Sequence, residues 1–265
     1  HDDLPAMDDD DYRRGRLTSH KVFGDALAVL AGDCLLTAAF EIISRDGVLD
    51  AARRAELTFL LARAAGGSGM VGGQVLDLEG ERGLLAPAEL RDRESAIPET
   101  AAPTETGCWR SADSADSVSS GGMQDAESSE NPFGALEPPR VQQLMAIHRL
   151  KTGALITAAL EMGAVSANAS AEQREALMVY GQAIGLAFQI ADDLLDITGD
   201  PAKLGKTPGR DVDLGKLTYP ALLGPDESRR RAEELVQRAC RALEIFGERG
   251  VWLKELAGFI VERDH

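Results

Sequence analysis

Two clusters of aspartate dominate the chemistry open to this chain. The first, HDDLPAMDDDDYRRG over residues 1–15, sets Asp2, Asp3, Asp8, Asp9, Asp10 and Asp11 close together, with Arg13 and Arg14 directly behind them. Carboxylates at that density repel one another unless cations sit among them. All-oxygen ligands point to a hard cation, Mg²⁺ before Zn²⁺. An EF-hand loop does not fit, because Arg13 takes a ligand position and the Gly and terminal Glu are misplaced. Taken alone, the run reads first as a solvated acidic turn.

The second cluster, FQIADDLLD over residues 188–196, lies inside an otherwise apolar helical pattern. At helical spacing Gln189, Asp192, Asp193 and Asp196 fall within an arc of about 100°. Such a stripe among Leu and Ile either faces water or holds a cation, since buried carboxylates without partners are costly. Mg²⁺ held through one or two carboxylates usually leaves room for phosphate oxygens, and the chain also supplies cations suited to phosphate. Arg13 and Arg14 follow the first cluster. Lys151 and Thr152 sit in LKTGA, and Lys206 and Lys216 in LGKTPGRDVDLGKLTYP. Together they suggest a diphosphate gripped through Mg²⁺ on one side and Lys/Arg on the other.

Helices must position these groups. The stretch Val22 to Ile43 is Ala/Leu-rich and free of Pro, and predicts a buried helix. Residues 51–65 predict a second, halted by Gly66 and Gly67. Met70 to Leu78 resumes helical structure. Further helices are predicted over Arg140–Met162, Ala171–Thr198, Glu227–Phe246 and Val251–Val261. No β-branched alternation bounded by turns occurs, so strands should be nearly absent. The fold class expected is all-α, a single large helical bundle with one insertion. Residues 92–139 hold 8 Ser, 5 Pro and 10 acidic residues against 2 basic ones. That segment carries half of the chain's net charge of −16 and predicts a disordered loop, too poor in apolar surface to offset its ordering entropy.

Composition excludes several classes. The 265 residues carry 28 Lys+Arg against 44 Asp+Glu, which disfavours non-specific nucleic-acid binding. Three scattered Cys make neither a disulfide framework nor a CxxC metal site, so a reducing, cytoplasmic setting is expected. No uninterrupted apolar run reaches about 18 residues, so no membrane span is expected.

The blocks taken together resemble the trans-isoprenyl diphosphate synthases of the polyprenyl synthetase family, which includes farnesyl and geranylgeranyl diphosphate synthases. The resemblance rests on DDLPAMD (2–8) with RRG, GGQVLDL (72–78), HRLKTGALI (148–156), FQ with DDLLD (188–196) and GKTPGRDVDLGKLTYP (205–220), and covers nearly all of the chain outside 92–139. It implies an Mg²⁺-dependent enzyme that condenses isopentenyl diphosphate with an allylic diphosphate, using three Mg²⁺ ions. Asp2 and Asp8 would bind two of them, with Asp3 assisting. Asp192 would bind the third from the opposite wall, supported by Asp193 and Asp196. Arg13 would contact the allylic diphosphate and Arg14 that of isopentenyl diphosphate. Lys151, Lys206 and Lys216 would hold the leaving diphosphate. Thr152 and Gln189 would set oxygens near the developing allylic cation. A homodimer is the family habit.

Two departures shape the expectation. The family carries a Gly-Lys-Arg block and a further basic or His contact ahead of the first motif. This chain does not, so it is expected to be an N-terminally truncated form with impaired catalysis. The long insertion should leave the bundle intact, because loop closure cost rises slowly with length. Pro5 and Ala6 inside the first motif resemble bacterial-type synthases with short products, which favours farnesyl diphosphate, with geranylgeranyl or longer products as the alternative. A terpene cyclase, a non-catalytic synthase subunit and an acidic scaffold are the rival readings; retention of both aspartate motifs argues against the subunit.

Overall fold

The computed structural model describes residues 1–81, 137–198 and 216–263. The predicted insertion therefore lies almost wholly outside the described residues, as does Lys206.

The described chain is helical after residue 18. Helices run in the order α1 (Ser19–Phe23), α2 (Asp25–Ser44), α3 (Ala51–Ala65), α4 (Met70–Glu81) and α5 (Pro139–His148). A π-helical turn over Arg149–Gly153 then leads into α6 (Ala154–Ser166). There follow α7 (Ala171–Thr198), α8 (Tyr219–Leu223), α9 (Pro225–Ala242), a 3₁₀ stretch over Leu243–Gly250, and α10 (Val251–Glu262). Among the described residues β-structure is confined to the pair Tyr12–Arg13 and Arg16–Leu17.

Local sequence accounts for most boundaries. Asp50 caps α3, its carboxylate accepting from the Arg53 N–H at 2.8 Å. Pro139 and Pro225 occupy the first turns of α5 and α9, where a missing N–H costs nothing. Thr218 caps α8. Some boundaries depart from expectation: the helix predicted over Glu227–Phe246 ends at Ala242 and passes into the 3₁₀ stretch. The helix predicted to end at Gly163 continues to Ser166, because a glycine in open helix surface weakens a helix without stopping it; Asn168, at φ 55°, ends the run.

The core is built on α7, which packs against α9 on one side and α6 on the other. Tyr180, Ile184, Leu186, Ala187 and Ile190 are buried at its centre, with Leu235, Ala239 and Leu243 opposite. A second cluster of Ile43, Leu57, Leu60 and Val165 ties α2 and α3 to α6. Arg231 on α9 reaches Glu137 at 3.0 Å, with both side chains almost fully buried. That pair fastens the start of α5 to α9.

The expectation of a buried helix at Val22–Ile43 is corrected. The helix exists, over Asp25–Ser44, but Ile43 is its sole fully buried residue, and Leu35 is 73% exposed. Apolar composition reports what a helix could bury, not what covers it. By length and composition α2 is also, among the described residues, long and apolar enough to cross a membrane, which qualifies the expectation drawn from uninterrupted run length. Asp33 lies near its middle, where a charge costs about 2.5–3.5 kcal/mol in a bilayer.

Candidate active site

The first aspartate cluster is a loop folded on itself. Backbone bonds run from Asp8 N–H to Asp2 C=O at 3.0 Å and from Asp10 N–H to Asp3 C=O at 3.2 Å. They bring Asp2 and Asp8 side by side despite five intervening residues. The buried hydroxyl of Thr18 donates to Asp10 C=O at 2.7 Å and anchors the loop from below. Arg14 and Gly15, at φ 52° and 73°, turn the hairpin between the two short strands. Both central residues have positive φ, the geometry a two-residue hairpin turn requires. The turn projects Arg13 back onto Asp3 at 3.1 Å.

The second cluster sits on α7 as predicted. Asp192 is half-exposed, and Asp193 and Asp196 are buried. Asp193 Oδ2 accepts the Tyr219 backbone N–H at 2.8 Å. This bond pins the segment after residue 215 to α7. Three residues before Tyr219, Lys216 donates from Nζ to Asp8 Oδ1 at 3.1 Å. The first aspartate loop is thus tied through Lys216 and the Tyr219 backbone to the second aspartate motif.

Glycines bring the remaining groups together. Gly181 and Gly185, one turn apart on α7, let it approach Thr157 and Gly153; a Cβ on Gly185 would stand 2.7 Å from Gly153 Cα. One further turn along the same face, Gln189 Oε1 accepts from Thr152 Oγ1 at 2.6 Å. Lys151, on the π-helical turn, donates to Asp77 of α4 at 2.8 Å. Such turns insert one residue into a helix and re-aim the side chains around them.

Sequence reasoning assigns no role to two residues found here. Asp77 lies in the GGQVLDL block, which is quoted for the resemblance without a function. Arg263 pairs with Asp192 while its guanidinium stacks over the Phe188 ring at 4.2 Å. No periodicity could announce a contact that spans 71 residues. Arg14 is exposed, and none of its contacts draws it toward the other candidates. A small cleft between the π-helical turn, α7 and α9, lined by Arg149, Gln182, Leu186 and Arg238, includes none of the aspartates.

Below the site, His148 is buried, its ring 5.7 Å from that of Tyr219. Burial pushes the imidazole down to about 4; Asp77 opposes the shift and Lys151 adds to it. The unfolded chain takes up this proton near pH 6.5 while the folded chain resists it to about 4. Stability from this ring is therefore full above pH 6.5 and declines through that interval. Unfolding titrations at pH 7 and pH 4 should show wild type losing roughly 3 kcal/mol more than His148→Gln. Parallel losses in the two proteins would refute the buried neutral ring.

The donor set fits a hard cation: the residues assigned to metal, Asp2, Asp3, Asp8, Asp192, Asp193 and Asp196, are all carboxylates. Among the described residues no three Asp, Glu, His or Cys side chains converge into a ready-made cage. A cation here would complete its shell with water or ligand oxygens.

The polyprenyl synthetase family model matches residues 1–93 and 111–244. The chain belongs to the polyprenyl synthetase family. Farnesyl diphosphate synthase of Escherichia coli is 40% identical over all of this chain, which covers 72% of that protein. A dimethylallyltranstransferase of Fischerella ambigua is 38% identical, and this chain spans 62% of its length. Geranylgeranyl diphosphate synthase of Cyanophora paradoxa is 36% identical, with 71% covered. Among solved structures, an FPP/GFPP synthase of Zymomonas mobilis superposes with a TM-score of 0.68 at 35% identity, over 98% of this chain and 70% of that one. A geranyltransferase of Helicobacter pylori, solved with magnesium and isoprenyl diphosphate, superposes with a TM-score of 0.67 at 27% identity, over 98% and 68%. The all-α architecture is thus that of the polyprenyl synthetases.

Proposed function

We propose that this polyprenyl synthetase condenses isopentenyl diphosphate with dimethylallyl or geranyl diphosphate to make farnesyl diphosphate, with three Mg²⁺ ions. The observation that carries the reading is the Lys216–Asp8 contact at 3.1 Å. It joins a phosphate-suited cation behind the second motif to a carboxylate of the first, which supports a single locus served by both motifs.

Asp2, Asp3 and Asp8 of the first motif, and Asp192 with Asp193 and Asp196 of the second, would hold Mg²⁺, which would supply Lewis-acid neutralisation of diphosphate oxygens. The remaining work falls to side chains. Arg13, Lys151, Lys206 and Lys216 receive the negative charge that grows on the leaving diphosphate as the allylic C–O bond breaks. Arg14 binds the diphosphate of isopentenyl diphosphate. The hydroxyl proton of Thr152 is committed to Gln189, so its oxygen lone pairs are free to face the allylic cation. The π electrons of isopentenyl diphosphate form the new C–C bond, and the proton lost from the resulting cation leaves with the released diphosphate. Apolar side chains of the bundle exclude water that would otherwise quench the cation.

We also infer a homodimer, with the uncovered face of α2 as the contact between copies. The free thiols Cys34 and Cys240 suit a reducing cytoplasm.

The test is direct. The natural protein is incubated with Mg²⁺, labelled isopentenyl diphosphate and an allylic primer, and product length is read by chromatography. A fifteen-carbon product with stoichiometric pyrophosphate release is expected. A twenty-carbon product would move the assignment to geranylgeranyl diphosphate, and no incorporation with any primer would overturn it.

A further inference from the structure

Residues 72–78 hold a group that the reaction scheme leaves without a task. Gly73 and Asp77 stand one turn apart on the same face of α4, and both meet the π-helical turn at Lys151. A Cβ on Gly73 would lie 2.2 Å from the Lys151 backbone nitrogen, so only glycine lets α4 come this close. Four residues on, Asp77 Oδ2 accepts from Lys151 Nζ at 2.8 Å, with the two side chains 16% and 21% exposed. Backbone and head group of one lysine are thus fixed by a single face of one helix.

We propose that Asp77 is a positioning residue that holds the Lys151 ammonium toward the diphosphate. The inference rests on the reading of Lys151 as a diphosphate ligand. Lysine is a flexible stem with three donors on its head group. One donor spent on Asp77 fixes the head group and leaves two for phosphate oxygens. Two opposing effects attend removal of the carboxylate. Its negative charge repels a diphosphate, which favours tighter binding without it. It also orients and neutralises a largely desolvated ammonium, which favours weaker binding without it. The second dominates, because the head group of a lysine side chain that is only 21% exposed, once stripped of this counter-charge, leaves that position for solvent.

The experiment measures binding of inorganic pyrophosphate by calorimetry, with Mg²⁺ present, to the full chain and to Asp77→Asn, Lys151→Ala and the double variant. Thermal melting of each establishes that it is folded, and Asp77→Ser replaces Asp77→Asn should the latter not fold. Asp77→Asn is expected to weaken binding about ten- to a hundred-fold, the range typical of groups that orient a ligand-binding residue. Lys151→Ala should weaken it at least as much, and the double variant no more than Lys151→Ala alone. A purely structural Asp77 would add its own loss in the Lys151→Ala background. Unchanged or tighter binding to Asp77→Asn, with Lys151→Ala still weakened, overturns the positioning role alone. Unchanged binding to Lys151→Ala overturns the reading of Lys151 and this inference with it.

Discussion

Asp192→Ala is expected to lower turnover by about a hundred- to a thousand-fold while leaving the fold in place. Its side chain is 44% exposed, so its removal opens no cavity and strips little packing from α7. Its partner Arg263 keeps the stacking contact with Phe188. The loss therefore falls on the charge balance of the departing diphosphate, which grows in the transition state and is stabilised there more than in the ground state. Asp193 makes the contrast. It is buried and holds the Tyr219 N–H, so Asp193→Ala leaves an orphaned donor and costs stability as well as rate. Steady-state pyrophosphate release, with melting curves for both variants, separates the two. Full turnover by a folded Asp192→Ala would remove the second carboxylate wall from the account.

What the sequence discloses depends on the range of each interaction. The limits of α7, Ala171 to Thr198, follow from periodicity and come out as predicted. So does the shared face of Gln189 and the three aspartates, because helical spacing is a local property. The loop that pairs Asp2 with Asp8 is different. It is held by its own backbone bonds and by the Thr18 hydroxyl, and no composition rule encodes those. The π-helical turn at Lys151 has no periodic signature, since it adds one residue inside a pattern that otherwise reads as plain helix. Asp77 is visible in its block, but the lysine that gives it meaning lies 74 residues away. The exposure of α2 shows the converse limit: an apolar composition does not bring burial where the described chain provides no cover.

A second large effect concerns the order in which charges arrive. Three of the six carboxylates proposed to hold Mg²⁺ already have cations of the same chain beside them: Asp3 with Arg13, Asp8 with Lys216 and Asp192 with Arg263. Metal alone competes for Asp8 with the Lys216 ammonium, whose side chain is 13% exposed. Pyrophosphate alone must draw Lys216 away and leave the carboxylate without it. Arriving together, they exchange partners, with metal on carboxylate and phosphate on ammonium. Each ligand then strengthens the other by the same factor, and coupling of this kind is typically 5- to 150-fold, about 1–3 kcal/mol.

The affinity of the full chain for inorganic pyrophosphate, measured by calorimetry with Mg²⁺ and again with the metal chelated, bears most directly on the claim that both aspartate motifs serve one diphosphate. If both motifs serve one diphosphate, binding is at least about tenfold tighter with Mg²⁺, and that gain is lost in a folded Asp2→Asn, Asp8→Asn, Asp192→Asn triple variant. Equal affinity in the two conditions, or an undiminished gain in the triple variant, would contradict it.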